Sequence, residues 1–469
     1  MHRLDGQDAI FLYRETPTAM MHTLKVHIVR PASPEDSLET QYLRLKEGVL
    51  GNSLMRQRIV PIPFGLHHPV LVDDPDFDVS AHVYRAAIPA PGSMRELDHM
   101  VAQIGSTPLD RSRPLWEMWL LEGLETGESV VVHKMHHSMA DGMAYVQLVN
   151  RVWRVDDNEA TSENGQPPPS PLPSNHRLIW DALVDHATKD IWNLWPILKS
   201  FFGNLAELRR RRHASTEDHI NPLTEPFPQL DFNRALGVKR RFSTCQISLE
   251  DVKDLKIKLE VTLNDVVLAV IAGALREYLQ DRSELPEKAL ALSIPVGADK
   301  PGSQREQGNR VTALFSMMHT EIEDPLERLY AIRKRTEQGK ADLEIFGKHQ
   351  WGDLMEYVPP PVMTWLAQRA FRKKPANQPG HVPNANIVVS NVPGPRTLLA
   401  NDTYGELTAI YSAGVLGESM GLNVTVWSYV DNLNISALAC KKDMPDLYRL
   451  TEAIPRALQE LQQAAEQRS

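Results

Sequence analysis

The segment Pro167-Pro168-Pro169-Ser170-Pro171-Leu172-Pro173 constrains the fold of this chain more than any other stretch. Proline fixes φ and lacks an amide hydrogen, so five prolines in seven residues admit neither a helix nor a paired strand. Apolar periodicity stops across residues 156–174, which read as an extended, solvated linker. The break divides 469 residues into a first half (1–155), a linker region with an amphipathic helix (156–230) and a second half (231–469). Both halves mix strand and helix patterns, and the chain is long enough to bury a substantial core. The expected fold class is therefore α/β, in the α+β sense, with two domains.

In the first half, residues 23–29 alternate as a strand behind a short helical pattern. Residues 72–84 read as loop and strand, and residues 94–104 have helical apolar spacing. A strand at 129–135 leads to a helix over 142–155, with Tyr145, Leu148, Val149, Val152 and Trp153 on its apolar side. In the second half, strands are expected at 239–247, 289–296, 385–390, 422–429 and 433–439. Helices are expected at 249–259, 263–280 and 446–466. Thr262 is placed to cap the second of these, with Asp265 three residues on as its capping-box partner.

Composition excludes several functions. A formal net charge of -9 argues against a general nucleic-acid partner, which calls for a basic surplus. The two cysteines, Cys245 and Cys440, form no CxxC or Cys/His metal pattern, and a reducing, cytoplasmic setting is the simplest reading. The first 13 residues lack the cationic and apolar regions of a secretory signal. The longest strongly apolar run, Val266 to Leu275, falls short of the roughly 18–20 residues that span a bilayer. Peripheral contact with a membrane or lipid inclusion stays open. Residues 178–208 carry Trp180, Trp192, Trp195, Phe201 and Phe202, followed by Arg209 to Arg212. Residues 362–374 repeat the theme after Pro359-Pro360-Pro361. Each segment reads either as a helix packed on the protein or as an interfacial helix, with aromatics at the acyl boundary and cations on anionic headgroups.

The chemistry concentrates in His136-His137-Ser138-Met139-Ala140-Asp141-Gly142. A strand alternates its faces, so His133, Met135 and His137 fall on one side and Lys134 and His136 on the other. Asp141-Gly142 marks a turn, and Asp141 is placed to cap the helix that follows. His137 then sits on a tight loop between a strand and a helix, where a side chain can reach a cavity. An imidazole with an ordinary pKa of about 6.5 is neutral near pH 7 and suits general-base work on an alcohol. The ordinary reading of an HH dipeptide is two satisfied histidines, but Asp141-Gly142 at this spacing counts against it. Metal binding by His133 and His137 would need a helix to bring them together, and this segment reads as a strand, so no metal is expected. Gly417-Glu418-Ser419-Met420-Gly421 matches a nucleophile-elbow pattern, but a strand-like stretch follows it and no histidine occurs after His381.

The motif resembles the HHxxxDG signature of the bacterial wax ester synthase/diacylglycerol acyltransferase family, which it shares with condensation domains and other chloramphenicol-acetyltransferase-like folds. Further segments carry the resemblance in order along nearly the whole chain. They are Gln7 to Leu12 with Met21-His22, Pro114-Leu115-Trp116, Asn264-Asp265, Asn309-Arg310-Val311, and Asn391-Val392-Pro393-Gly394-Pro395. The resemblance implies two chloramphenicol-acetyltransferase-like sandwiches with a tunnel between them. It implies acyl transfer from acyl-CoA to diacylglycerol or a long-chain alcohol, with no cofactor and no acyl-enzyme. His137 would be the base, with His136, Asp141, Gly142, Asn264 and Asp265 completing the catalytic set. Asp141 is then mainly architectural, and Asn264 stabilises an oxyanion or shapes the tunnel, though helix capping alone also explains Asn264-Asp265. Pro114, Leu115, Trp116 and Ser138 would shape the substrate side. Two other readings remain at this stage: a stand-alone condensation-type enzyme using a carrier-bound donor, and a lipid-binding protein of the same fold without turnover.

Overall fold

The computed structural model describes residues 1–33, 36–50, 52–153, 171–214, 227–299, 308–373 and 385–468. Most of the proline-rich linker lies outside the described residues, as do Lys374, His381 and the side chains of Val152, Trp153 and Arg212.

Two six-stranded sheets organise the chain. The first runs, edge to edge, Leu399–Asn401, Gly405–Ala413, His22–Arg30, Ser129–His136, Trp116–Glu122 and Val83–Ala87. The second runs Val311–Met318, Leu290–Gly297, Ile387–Pro393, Leu422–Tyr429, Asn432–Cys440 and Arg240–Ser248. Helices cover both, which gives the two-part α/β architecture that the mixed patterns imply. Residues 231–469 are not confined to the second sheet, because Leu399–Asn401 and Gly405–Ala413 complete the first. Gly405–Ala413 pairs antiparallel with His22–Arg30, setting Ser412 opposite Lys25.

Local chemistry explains the elements that position the site. Met94–Ile104 opens on a Ser93–Glu96 capping box and buries Leu97, Val101 and Ile104 against the outer face of the first sheet. Leu263–Asp281 opens on the expected box, with Thr262 Oγ1 accepting from the Asp265 amide at 3.2 Å and Asp265 Oδ2 accepting from the Thr262 amide at 3.0 Å. That helix is buried nearly all round, so apolar residues on every face replace an amphipathic stripe. The single helix expected over 178–208 is instead two, Asn175–Asp185 and Ile191–Ala214, joined by a π-helical turn at His186–Asp190.

The halves share a seam. One buried cluster joins Trp116, Met135, Met139 and Tyr145 of the first half to Val392, Leu407, Trp427 and Tyr429 of the second. Gly394 sits so close to the Ser428 carbonyl and the Trp427 indole that a β-carbon there would collide with both. On the outer side, Asp98 accepts hydrogen bonds from the amide and hydroxyl of Thr244, each at 3.0 Å.

Candidate active site

The strand Ser129–His136 lies between His22–Arg30 and Trp116–Glu122, and its last residues enter the HH loop with their amides already engaged. His136 N–H donates to the Leu115 carbonyl at 2.9 Å, and His137 N–H donates to the Met21 carbonyl at 2.7 Å. The alternation of faces separates the two rings. His136 is fully buried, and its Nδ1 accepts from the Ser138 amide at 3.2 Å and meets the Ser138 hydroxyl at 2.7 Å. Its Nε2 therefore carries the proton and faces Glu15 at 3.6 Å. Burial holds the His136 ring below its ordinary pKa, with Glu15 opposing. His136 and Ser138 thus support the loop from beneath.

His137 turns the other way and stays partly exposed. Phe11 stacks on its ring, with centroids 4.1 Å apart and planes within 6°. Its Nδ1 lies 2.7 Å from Asn309 Oδ1. The Asn309 amide group donates to Asp8 Oδ1 at 2.7 Å and to the His137 carbonyl at 2.6 Å. With the Asn309 nitrogen committed to two acceptors, its oxygen can only accept, so His137 Nδ1 carries the proton. The lone pair is left on Nε2. The chain Asp8–Asn309–His137 fixes the tautomer through a neutral amide, where a triad would use a carboxylate directly. Burial pushes His137 down to about 4, helped by the positive charge of Lys25 and opposed by its backbone hydrogen bond and Asp141, so the ring is neutral at pH 7.

Asp141 joins the two halves. Its Oδ1 caps the following helix by accepting from the Ala144 amide at 2.9 Å, as the turn signal implies. Its Oδ2 accepts from the Arg310 amide at 2.9 Å, and its own amide donates to the Gly308 carbonyl at 3.1 Å. The Gly308 amide returns a bond to the Met139 carbonyl at 2.7 Å. Residues 308–310 are thereby strapped across the HH loop, which delivers Asn309 to His137. A β-carbon on Gly142 would lie 3.3 Å from Val392, so the helix start packs tightly on the strand from the second half.

Behind His137 the inner face of the first sheet is polar and buried. Lys25 Nζ donates to Ser412 Oγ at 2.6 Å and lies over the rings of Tyr145 and Trp427. His133 Nδ1 meets the Tyr145 hydroxyl at 3.1 Å, and that hydroxyl meets His27 at 3.4 Å. Burial pushes Lys25 down to about 8 and His27 down to about 4.

Pro114, Leu115 and Trp116 line up beside the HH strand but are buried, and the Trp116 indole donates to the Met55 carbonyl at 2.7 Å. Asp265 engages its helix cap through Oδ2 and leaves Oδ1 buried without a hydrogen-bond partner, and among the described residues no hydrogen bond joins Asn264 to His137. The sequence reading gave no role to Asp8, Phe11 or Asn309. The available signal was the i, i+3 pair Asp8 and Phe11 on one helical face, beside a resemblance segment containing Asn309. Ser419 sits at φ 64° in a turn that runs directly into the strand Leu422–Tyr429, so no strand-to-helix elbow forms there.

Comparison with known proteins identifies the family. The chain matches the wax ester synthase/diacylglycerol acyltransferase catalytic domain over residues 4–267 and the C-terminal domain of the same family over residues 307–462. It is 35% identical over 476 residues to a Mycobacterium tuberculosis protein named "Putative diacyglycerol O-acyltransferase", covering 99% of this chain and 97% of that protein. A second M. tuberculosis protein of that name is 33% identical over 444 residues, covering 94% and 92%. Among solved structures, the wax ester synthase/diacylglycerol acyltransferase from Marinobacter aquaeolei VT8 superposes with TM-score 0.70 at 24% identity, over 99% of this chain and 100% of that one. The first condensation domain of the CDA synthetase shares the fold at TM-score 0.57 and 13% identity, covering 99% and 96%.

Proposed function

The chain belongs to the wax ester synthase/diacylglycerol acyltransferase family and is an acyltransferase, and from that premise we propose that it moves a fatty acyl group from acyl-CoA to diacylglycerol or a long-chain alcohol. The observation that carries this reading is the Asp8–Asn309–His137 chain, which leaves Nε2 of a neutral imidazole as a directed base.

The two substrates approach His137 from opposite mouths of a tunnel between the halves. His137 Nε2 takes the hydroxyl proton as the alcohol oxygen attacks the thioester carbonyl carbon. A C–O bond forms, and the carbonyl oxygen carries the negative charge of the tetrahedral intermediate. Asn264, at a helix start with free amides and positive potential, serves that oxyanion or shapes the channel. The intermediate collapses, the C–S bond breaks, and the departing CoA thiolate takes the proton from His137. No cofactor and no acyl-enzyme enter the scheme. The acceptors partition into lipid, so turnover takes place at the inner face of a membrane or the surface of a lipid inclusion.

The test incubates purified protein with labelled palmitoyl-CoA and either diolein or hexadecanol and follows neutral lipid. His137→Ala should lower kcat by roughly 10²- to 10⁴-fold while the protein stays folded. Asn309→Leu should lower kcat with little change in KM for palmitoyl-CoA, because the ring loses its orientation and not its substrate. Folded wild-type protein that makes no ester from either alcohol would remove the proposed activity. Undiminished turnover by His137→Ala would leave the activity and remove the base.

A further inference from the structure

A surface helix ordinarily divides its residues between core and water, and Ile191–Ala214 does not. One face packs on the protein, where Phe201 meets Phe346 and Trp351 edge-on at 5.4 Å each. The opposite face presents Trp192, Trp195, Lys199, Phe202 and Arg209, all exposed. Trp192 is 76% exposed and Trp195 is 73% exposed. On the neighbouring helix Pro360–Lys373, Val362, Trp365 and Leu366 are exposed as well. Phe64 stands 86% exposed on a turn at φ 61°, a left-handed conformation that bulky side chains rarely adopt. Its ring gains no burial that would offset that strain. Exposed apolar groups gathered in this way mark a contact surface.

A small pocket lies beside this surface, between the packed side of Ile191–Ala214 and the start of Pro360–Lys373. A cavity of about 250 Å³ lies between His67 and His68, His186 and Leu194, and Pro359 and Pro360. Leu194 stands seven residues before Phe201 and shares its packed face, Pro360 stands two residues before the exposed Val362, and Gly65, next to Phe64, abuts Pro361. Known small-molecule pockets run to roughly 300–1,000 Å³, so this one is too small for a whole acyl-CoA and suits a segment of hydrocarbon chain. The imidazoles at its back do not converge on a metal. His186 Nε2 bonds the Leu66 carbonyl at 2.7 Å, His68 bonds the Tyr13 hydroxyl at 2.9 Å and the Glu356 carbonyl at 3.1 Å, and His67 Nδ1 accepts from the His68 amide at 2.7 Å. Tyr13 belongs to Gly6–Arg14, the helix whose Phe11 stacks on His137, so one helix touches both His137 and the pocket's His68.

We propose that this surface docks on an anionic lipid–water interface and that the pocket takes one hydrocarbon chain of a lipid drawn from it. The occupant follows from the mixture on one helical face: tryptophans settle at headgroup depth, and Lys199 and Arg209 meet anionic headgroups. The proposal rests on the reading above in one respect, that the lipid drawn in is the acceptor.

The experiment needs no turnover. Full-length protein is floated with vesicles of phosphatidylcholine and phosphatidylglycerol containing a diacylglycerol with a diazirine in one acyl chain. After photolysis, labelled peptides are mapped. Wild-type protein should float and carry label on peptides containing Leu194 or Tyr357 to Pro360. The double variant Trp192→Ser/Trp195→Ser should lose flotation. Leu194→Trp, which fills the pocket, should float, lose the label, and raise KM for vesicle-borne diolein severalfold without changing KM for palmitoyl-CoA. Undiminished flotation of the double variant overturns the docking surface, as does a concentration-dependent dimer that hides the patch and does not float. Label elsewhere, or label retained by Leu194→Trp, overturns the pocket. Label and flotation without ester formation would remove only the proposed function, and ester formation without them only this inference.

Discussion

The two sheets share one architecture and differ in what they bury. Among the described residues, every buried histidine and lysine lies in the first half, including His22, Lys25, His27, His133 and Lys134. The second half packs Leu263–Asp281 and Tyr448–Gln467 into a cluster of leucine, valine, isoleucine and alanine. The difference separates stability from chemistry. Burial in the first half holds imidazoles neutral at a cost in solvation, and it leaves His137 poised between them. The second half supplies apolar burial that offsets such costs, and it lends the site a strap, residues 308–310, a wall, Val392 and Trp427, and the Ser412 hydroxyl that accepts from Lys25.

The sharpest way to break this comparison is to cut a hole in the apolar half. Ile271 is fully buried, so Ile271→Ala should lower unfolding free energy by about 2–5 kcal/mol in urea, with turnover per folded molecule unchanged. A large fall in kcat at unchanged folded fraction would show that the second half does more than support.

Acid should strike the first half. Burial depresses His22 to about 3, His27 to about 4 and His133 to about 3. The unfolded chain therefore binds protons more readily below an ordinary value of about 6.5, so ν_U exceeds ν_N there. Stability is full above that value and is lost as pH falls through it toward about 4. The urea midpoint should drop from about pH 7 to about pH 5, and His27→Gln/His133→Gln should flatten that slope. An unaltered slope in the double variant would assign acid sensitivity elsewhere. The smallest effect belongs to the helix cap: Thr262→Ala should cost about 1 kcal/mol. A fall in kcat without that loss would instead assign the Asn264-Asp265 turn to the reaction.

What the sequence made legible follows from how local each signal is. The Thr262–Asp265 box, the strand expected at 129–135 and the Asp141 cap depend on neighbours within a few residues; the box and cap stand where the spacing puts them, and the strand runs one residue further, to His136. Gly405–Ala413 gave no usable signal, because its pairing partner lies near the other end of the chain. The helix Pro325–Phe346 was hidden by its charge, since its early turns hold to the core by Leu326, Leu329 and Ile332 with a buried arginine, Arg328, among them. The proposed base, His137, stands out in the sequence, and the residues that hold its ring do not. Asp8 and Asn309 are 301 positions apart, and only the fold shows that one amide bridges a carboxylate to an imidazole.

The pairing of His22–Arg30 with Gly405–Ala413 also sets a schedule for synthesis. Lys25 and Ser412 are separated by 387 positions. At roughly 5–20 residues per second, a ribosome takes from about twenty seconds to more than a minute to cover that distance. For the later part of that interval the first half is complete with the edge of its strand His22–Arg30 open, the kind of edge that recruits stray strands. The buried lysine on this edge is then left without its hydroxyl partner, and its charge disfavours intruding apolar strands until the strand Gly405–Ala413 arrives.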